Sequence, residues 1–303
     1  MSAKPIESLT EPSSGLKQSG GGLGVWLELT KPRLALMSTL TAAIGYIAAP
    51  QLVEWIPLVL LSCSIFLSAA GVLALNQWWE HATDALMHRT RDRPLPTGRL
   101  SRPQALSMGL ILIAIGLLIQ WWTFHPLVFL LNLATVASYL LVYTPLKRMT
   151  PLCTHVGAIP GALPPLIGWA AATGTMTGLG FWLFLILLFW QMPHFFAIAW
   201  LYREDYARGG IRVLSVSHPN GRRLLVETLL YSMAMVAVSL APYWLGYADA
   251  RYALFALLLM AWLAWELKRL VRAILDGNGK SNLFVFSLIY LPILLIALIA
   301  FAS

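Results

Sequence analysis

Apolar runs long enough to cross the roughly 30 Å hydrocarbon core of a bilayer follow one another almost without pause from Leu34 to the C-terminus. Short polar segments separate them. The pattern predicts nine membrane-spanning helices: Leu34–Ala49, Ile56–Asn76, Gln104–Trp122, Leu127–Tyr143, Thr154–Ala172, Phe181–Leu201, Leu224–Gly246, Tyr252–Leu267 and Asn282–Ala302. Backbone groups in lipid must be satisfied within their own segment, so the expected fold is all-α, a polytopic helical bundle. Span five carries Pro160, Pro164 and Pro165 among Gly157, Gly161 and Gly168. Such irregular helices usually line a cavity.

Charge orients the spans. Of the 21 lysines and arginines, only Arg251 falls on one side when nine spans are threaded in order. Every other basic residue falls with the N-terminus, which the positive-inside rule makes cytoplasmic, with the C-terminus opposite. The loops agree, being long, charged and mixed with Trp, Tyr and His on the basic side, short and nearly uncharged on the other. A working face is expected at the cytoplasmic mouth of the bundle. Residues 1–24, rich in Ser, Gly, Lys and Glu, have no apolar core to bury and are expected to be a disordered cytoplasmic tail, leaving 25–303 as one membrane domain.

Composition narrows the field. Hydrophobic residues make up 58% of the chain and charged residues 11%, which excludes a pair of soluble domains. A net charge of +8 confined to short loops reads as membrane orientation and not as nucleic-acid binding. Cys63 and Cys153 give neither a disulfide framework nor metal-ligand spacing.

Against this apolar background, residues 76–102, NQWWEHATDALMHRTRDRPLPTGRLSR, stand out. If the helix of span two continues past Asn76, then Glu80 and Asp84 follow at i+4 and i+8 on one narrow stripe. Hard oxygen donors in a row suit Mg²⁺, which takes one or two carboxylates, keeps waters and lets substrate phosphate complete its shell. Arg89, Arg91, Arg93, Arg99 and Arg102 supply forked phosphate donors nearby. A solvated loop of mixed charge is the plainer reading, and the helical spacing at a membrane helix end argues against it.

Two further constellations lie on the same side. Tyr202-Arg-Glu204-Asp205-Tyr-Ala-Arg-Gly-Gly-Ile-Arg212 follows span six, and of its adjacent carboxylates Asp205 is expected to face the first stripe. Tyr143-Thr-Pro-Leu-Lys147-Arg148 closes span four, where Pro145 holds two basic residues at the membrane surface. Lys147 and Arg148 fit either a phosphate contact or simple topology enforcement. His194, after Pro193 in span six, fits either a hydrogen-bonded core histidine or a substrate contact.

The order Asn76-x-x-x-Glu80-x-x-x-Asp84 with Met87-His-Arg-Thr-Arg-Asp-Arg-Pro-Leu-Pro-Thr-Gly98 resembles the first signature of intramembrane prenyltransferases of the UbiA type. The Arg-Thr-x-x-Arg-Pro-Leu-Pro-x-Gly continuation, Tyr143–Arg148, Gly157–Trp169, Trp190–Phe195 and Glu204–Ile211 are similar to the protoheme IX farnesyltransferase branch of that family. The resemblance runs from Lys31 to the C-terminus. It implies nine spans enclosing a chamber open toward the cytoplasmic face of a bacterial inner membrane, and Mg²⁺ as cofactor. Farnesyl diphosphate and heme B (protoheme IX) are the implied substrates and heme O the product, passed to a downstream heme-modifying membrane enzyme. Asn76, Glu80, Asp84 and Asp205 are the implied metal ligands, with Lys147 beside them. Arg89, Arg91, Arg93, Tyr143, Arg148, His194, Tyr202, Glu204 and Arg212 are the implied substrate contacts. Two departures stand out: Glu80 replaces the commoner aspartate, and Tyr202 and Tyr206 occupy places where many relatives carry aspartates. A prenyltransferase for a quinone precursor or chlorophyll-like acceptor is the alternative within this class. A secondary transporter is the alternative outside it, although its key charges belong near mid-membrane.

Overall fold

The computed structural model describes residues 22–275 and 281–302. All the described secondary structure is helical apart from one isolated bridge, Ala248 to Ala302. In chain order the helices are α1 (Leu23–Thr30), α2 (Pro32–Ile47), α3 (Trp55–Asp84), α4 (Arg102–Thr123), α5 (Pro126–Leu146), α6 (Cys153–Thr173), α7 (Leu179–Leu201), α8 (Arg203–Arg208), α9 (Leu214–Ser217), α10 (Arg222–Trp244), α11 (Ala250–Leu275) and α12 (Leu283–Ala300). Seven of them, α3 to α7, α10 and α12, are long and apolar enough to cross a membrane. The first and eighth expected spans coincide with α2, of 16 residues, and α11, of 26.

The tail expected to be disordered lies outside the described residues except at its end, where Leu23 and Gly24 open α1. Sequence periodicity gives α1 no separate signal. It is held because Val25 and Leu29 pack on Ala74, Leu95 and Leu100, while Gln77 of α3 donates its side-chain amide to Leu29 O at 2.6 Å.

Helix starts follow local chemistry. Ser101 and Gln104 form a reciprocal capping box with Pro103 in the first turn, so α4 begins at Arg102. The first half of the bundle packs α2, α3 and α6 around Ala42, Tyr46, Leu61 and Ile167. The second packs α7, α10, α11 and α12 around Leu183, Ile186, Tyr252 and Tyr290. Helix α6 touches α2, α5 and α7 and so joins the halves. Lipid provides no hydrophobic drive between helices, so close backbone approach and interhelical hydrogen bonds hold them. Gly45 of α2 and Gly168 of α6 let the two backbones meet: a Cβ on Gly45 would collide with Pro165 O, and one on Gly168 with Ala42 O. Asn132 donates to Ser68 Oγ at 2.9 Å, Gln120 to Ser64 Oγ at 3.1 Å, and Tyr290 to Ser239 Oγ at 2.8 Å.

Within α5, Ser138–Tyr143 is a π-helical segment. Thr144 N donates to Tyr139 O, five residues back. One residue more than an α-helix would use is thus accommodated before Lys147.

Candidate active site

Helix α3 continues unbroken through Asp84, so Asn76, Glu80 and Asp84 do share a stripe. That stripe forms one wall of a cavity of about 410 Å³, whose other walls come from Lys31, Tyr139, Tyr143, Lys147, Arg89, Arg93, His194 and Tyr206. Two ion pairs cross it. Lys147 Nζ lies 2.9 Å from Glu80 Oε1, and Arg93 Nη1 lies 2.7 Å from Asp84 Oδ2. Asp84 is 1% exposed and its other oxygen, Oδ1, has no hydrogen-bond partner.

A buried carboxylate oxygen without a partner is costly unless a cation completes it. No group of three or more His, Cys, Asp or Glu converges among the described residues. The donors on offer are therefore two carboxylates and the Asn76 amide. Such a set fits Mg²⁺ that draws the rest of its shell from water and phosphate, and suits poorly a metal needing an all-protein cage.

The cations are equally placed. The Lys147 ammonium sits 4.5 Å from the Tyr143 ring centroid. Burial works against its charge, but electrostatic interaction with the Tyr143 phenol and with Glu80 outweighs that and raises its pKa above the ordinary lysine value. Lys31 is the unexpected member. It is the only described non-glycine residue with positive φ, at 47°, and this left-handed turn between α1 and α2 delivers its half-buried side chain to the cavity. Burial first, and the Arg93 charge second, lower its ammonium to about 7.

Not every expected site residue faces this cavity. Asp205 is buried outside its lining: Oδ1 accepts from His88 N at 2.8 Å and from Arg208 Nη2 at 2.6 Å, and Oδ2 accepts from Arg89 N at 3.1 Å. Burial opposes the charge, yet Arg208 and the two amides hold the carboxyl below its usual range. Both oxygens are engaged, so Asp205 ties α8 to the 84–102 loop where it was expected to oppose the stripe as a ligand. Arg91 pairs loosely with exposed Asp92, Glu204 with Arg203, and Arg148 is exposed. Arg212 donates its backbone N to Lys147 O at 2.7 Å and its guanidinium to Met149 O, which fastens the Lys147 turn from outside. Tyr202 is exposed, with Arg89 5.2 Å above its ring, while Tyr206, lying under the same guanidinium, lines the cavity.

A second, mostly apolar cavity of about 300 Å³ runs deeper between α2, α3, α5, α6 and α7. It shares Leu34, Leu73, Tyr139 and Phe195 with the charged one. The site therefore has a charged end and a greasy end on one axis.

The family model described as the UbiA prenyltransferase family matches residues 35–301. The chain belongs to that family. A protoheme IX farnesyltransferase of Opitutus terrae is 40% identical over 290 residues, covering 96% of this chain and 97% of that one. One of Solibacter usitatus is 42% identical over 281 residues, covering 89% and 95%. Among solved structures, digeranylgeranylglyceryl phosphate synthase superposes with a TM-score of 0.77 at 19% identity, covering 92% of this chain and 97% of that one. A UbiA homologue from Archaeoglobus fulgidus bound to DMAPP and Mg²⁺ gives 0.67 at 18% identity, covering 91% and 99%. At these identities the structures show the UbiA fold, which is the all-helical membrane architecture of this chain.

Within that fold, Lys31 is the charged cavity residue that sequence reasoning missed. A Lys-Pro-Arg before a first apolar run reads as a topology signal, and nothing in the residue string announces a left-handed turn at Lys31. Tyr139 gave no signal in the sequence, and Tyr206 stood out only as occupying a place where many relatives carry aspartate.

Proposed function

We propose that this protein transfers a farnesyl group from farnesyl diphosphate to a vinyl group of heme B, making heme O, in a Mg²⁺-dependent reaction. The observation that carries it is the two-ended site: paired acids and bases at one end, and a continuous apolar cavity at the other. The curated relatives named above support the substrates. With α2 and α11 counted, nine spans cross the bacterial inner membrane, the N-terminus is cytoplasmic, and the charged end opens to the cytoplasm beneath the 84–102 and 202–217 segments. The membrane domain comprises residues 25–303, and the product passes to a heme-modifying membrane enzyme.

In this reading the diphosphate lies among Lys31, Arg89, Arg93 and Lys147. Asn76, Glu80 and Asp84 would hold Mg²⁺, which when bound would supply positive charge to the leaving group. Lys147 and Arg93 then turn from Glu80 and Asp84 to the diphosphate oxygens and neutralise the charge that grows as the C–O bond breaks. The Tyr139 and Tyr143 ring faces stabilise the allylic cation, and the apolar walls exclude water from it. Carbon 1 of the farnesyl group bonds to the terminal vinyl carbon, and water adds to the inner vinyl carbon with loss of a proton. The product side chain is hydroxyethylfarnesyl.

The test is to incubate the purified full chain in nanodiscs with farnesyl diphosphate and heme B, with Mg²⁺ or with EDTA, and to analyse products by mass spectrometry. Heme O that forms only with Mg²⁺ is the expected result. No product from heme, with prenylation of an added aromatic acid instead, would overturn it.

Lys31 gives the reaction a pH signature. Diphosphate favours the charged ammonium, so bound Lys31 titrates above its free value of about 7 and binding takes up a proton. Well below pH 7 the lysine is charged in both states and contributes no slope to the affinity. Above pH 7 affinity falls, by up to about tenfold per unit. Calorimetric titration with an unreactive farnesyl thiodiphosphate should show this slope in the wild type and lose it in Lys31→Arg, whose guanidinium does not titrate there. Parallel curves for the two proteins would remove Lys31 from the diphosphate site.

A further inference from the structure

His194 sits on α7 one residue after Pro193, is 9% exposed and lines the charged cavity. Its Nδ1 lies 2.8 Å from Ser287 Oγ of α12. Ser287 Oγ also lies 2.6 Å from Phe284 O, and a carbonyl can only accept. A serine hydroxyl has one proton. That proton is committed to Phe284 O, so Nδ1–H of His194 must be the donor to Ser287. The imidazole is thereby fixed as the neutral Nδ1–H tautomer, with the Nε2 lone pair left over.

The ring is also held in place. Trp190 stacks on it at 5.1 Å and 19°, and Phe284 covers it at 5.3 Å. Trp190 Nε1 donates to Ser287 O at 2.8 Å, so one residue of α12 fastens both the imidazole and the indole stacked on it. A histidine whose Nδ1–H is hydrogen-bonded and whose Nε2 is bare has the form of a metal ligand with its outer partner in place. Among the described residues it belongs to no group of three or more His, Cys, Asp or Glu that could hold a metal ion. One imidazole cannot cage a free ion, so the metal it suits must arrive with its other ligands already bound. An iron porphyrin meets that requirement, since the macrocycle supplies four nitrogens.

We propose that His194 Nε2 is an axial ligand to the iron of the acceptor porphyrin, with Ser287 as the positioning residue that sets its tautomer. This rests on the acceptor being heme, and it adds how the acceptor is recognised: by its metal as well as by its shape. Anchoring the iron fixes the macrocycle relative to the charged end and limits which vinyl group meets the allylic carbon.

The test uses the full chain in nanodiscs, titrated with ferric protoheme and, separately, with metal-free protoporphyrin IX. Binding is followed by absorption and electron paramagnetic resonance, and thermal unfolding confirms that each variant is folded. The wild type should give a histidine-ligated iron spectrum. His194→Ala should lose it and bind protoheme about tenfold or more weakly, and added imidazole should restore the spectrum. Ser287→Ala should weaken protoheme by a smaller factor, and binding of metal-free protoporphyrin should be unchanged in both variants. A His194→Ala protein with the wild-type spectrum, or one that loses protoheme and metal-free protoporphyrin equally, overturns the ligation. A wild type that makes heme O without a histidine-ligated spectrum also overturns it and spares the proposed function. A wild type that ligates protoheme but never farnesylates it supports the ligation and overturns the acceptor assignment.

Discussion

Asp84→Asn is expected to lower kcat/KM for prenyl transfer by on the order of 10³ while leaving a folded protein in the membrane. The carboxylate is 1% exposed, faces the cavity with Oδ1 unpartnered and holds Arg93 at 2.7 Å through Oδ2. Asparagine keeps the volume but removes the charge that a cation–diphosphate pair needs opposite it. Arg93 keeps its own contact with solvent, its side chain being 21% exposed. The stability cost should therefore stay near 1–2 kcal/mol, below the 3–5 of a fully buried pair. Asp92→Asn, in the same loop but 88% exposed, should retain wild-type turnover. Single-turnover assays with radiolabelled farnesyl diphosphate compare the two. If Asp84→Asn works within tenfold of the wild type, the stripe on α3 is not the reaction centre.

The second large effect is structural. Gly168→Ala should destabilise the bundle by about 3 kcal/mol, the upper end of ordinary overpacking, because the new methyl meets backbone rather than a movable side chain. Its nearest neighbours are Ala42 O and C and, at 2.9 Å, Tyr46 N, all on α2. Relief requires α2 to back away, and α2 carries Leu34 and the Lys31 turn into the active site. Gly98→Ala makes a useful contrast. A Cβ there has nothing within 4 Å and only the strain of φ +70°, so about 1 kcal/mol is expected. Thermal unfolding in detergent, with yield in the membrane fraction, ranks the three proteins. A Gly168→Ala variant as stable as the wild type would mean that the two helices do not meet at these glycines.

Much of this arrangement is readable in the residue string, for identifiable reasons. Apolar length alone finds the membrane helices, because lipid leaves a spanning backbone so few options. The i, i+4, i+8 spacing of Asn76, Glu80 and Asp84 finds the stripe because α3 stays regular to its end. Asp205 was expected to face the stripe, and its oxygens instead meet the backbone amides of His88 and Arg89; main-chain donors leave no trace in side-chain spacing. Helix α11 overruns its expected end at Leu267 to reach Leu275. Hydropathy stops at the charged residues 266–272, but the helix does not, since no glycine or proline interrupts it there. Buried Glu266 then takes up Asn282 N at 2.8 Å and ties α11 to the start of α12.

The π-helical segment at Ser138–Tyr143 separates two properties that are usually confounded, what a stretch is made of and how many residues it contains. The turn beyond it, with Lys147 beside Glu80, is rotated about 100° from where an uninterrupted α-helix would leave it. Lipid-facing Leu141 and Val142 are exposed and could be exchanged for other apolar residues with little consequence. Their number could not be altered by even one. In this stretch the cavity lysine, Lys147, is aimed by arithmetic, so an alignment gap there would carry more structural weight than an exchange of one apolar residue for another.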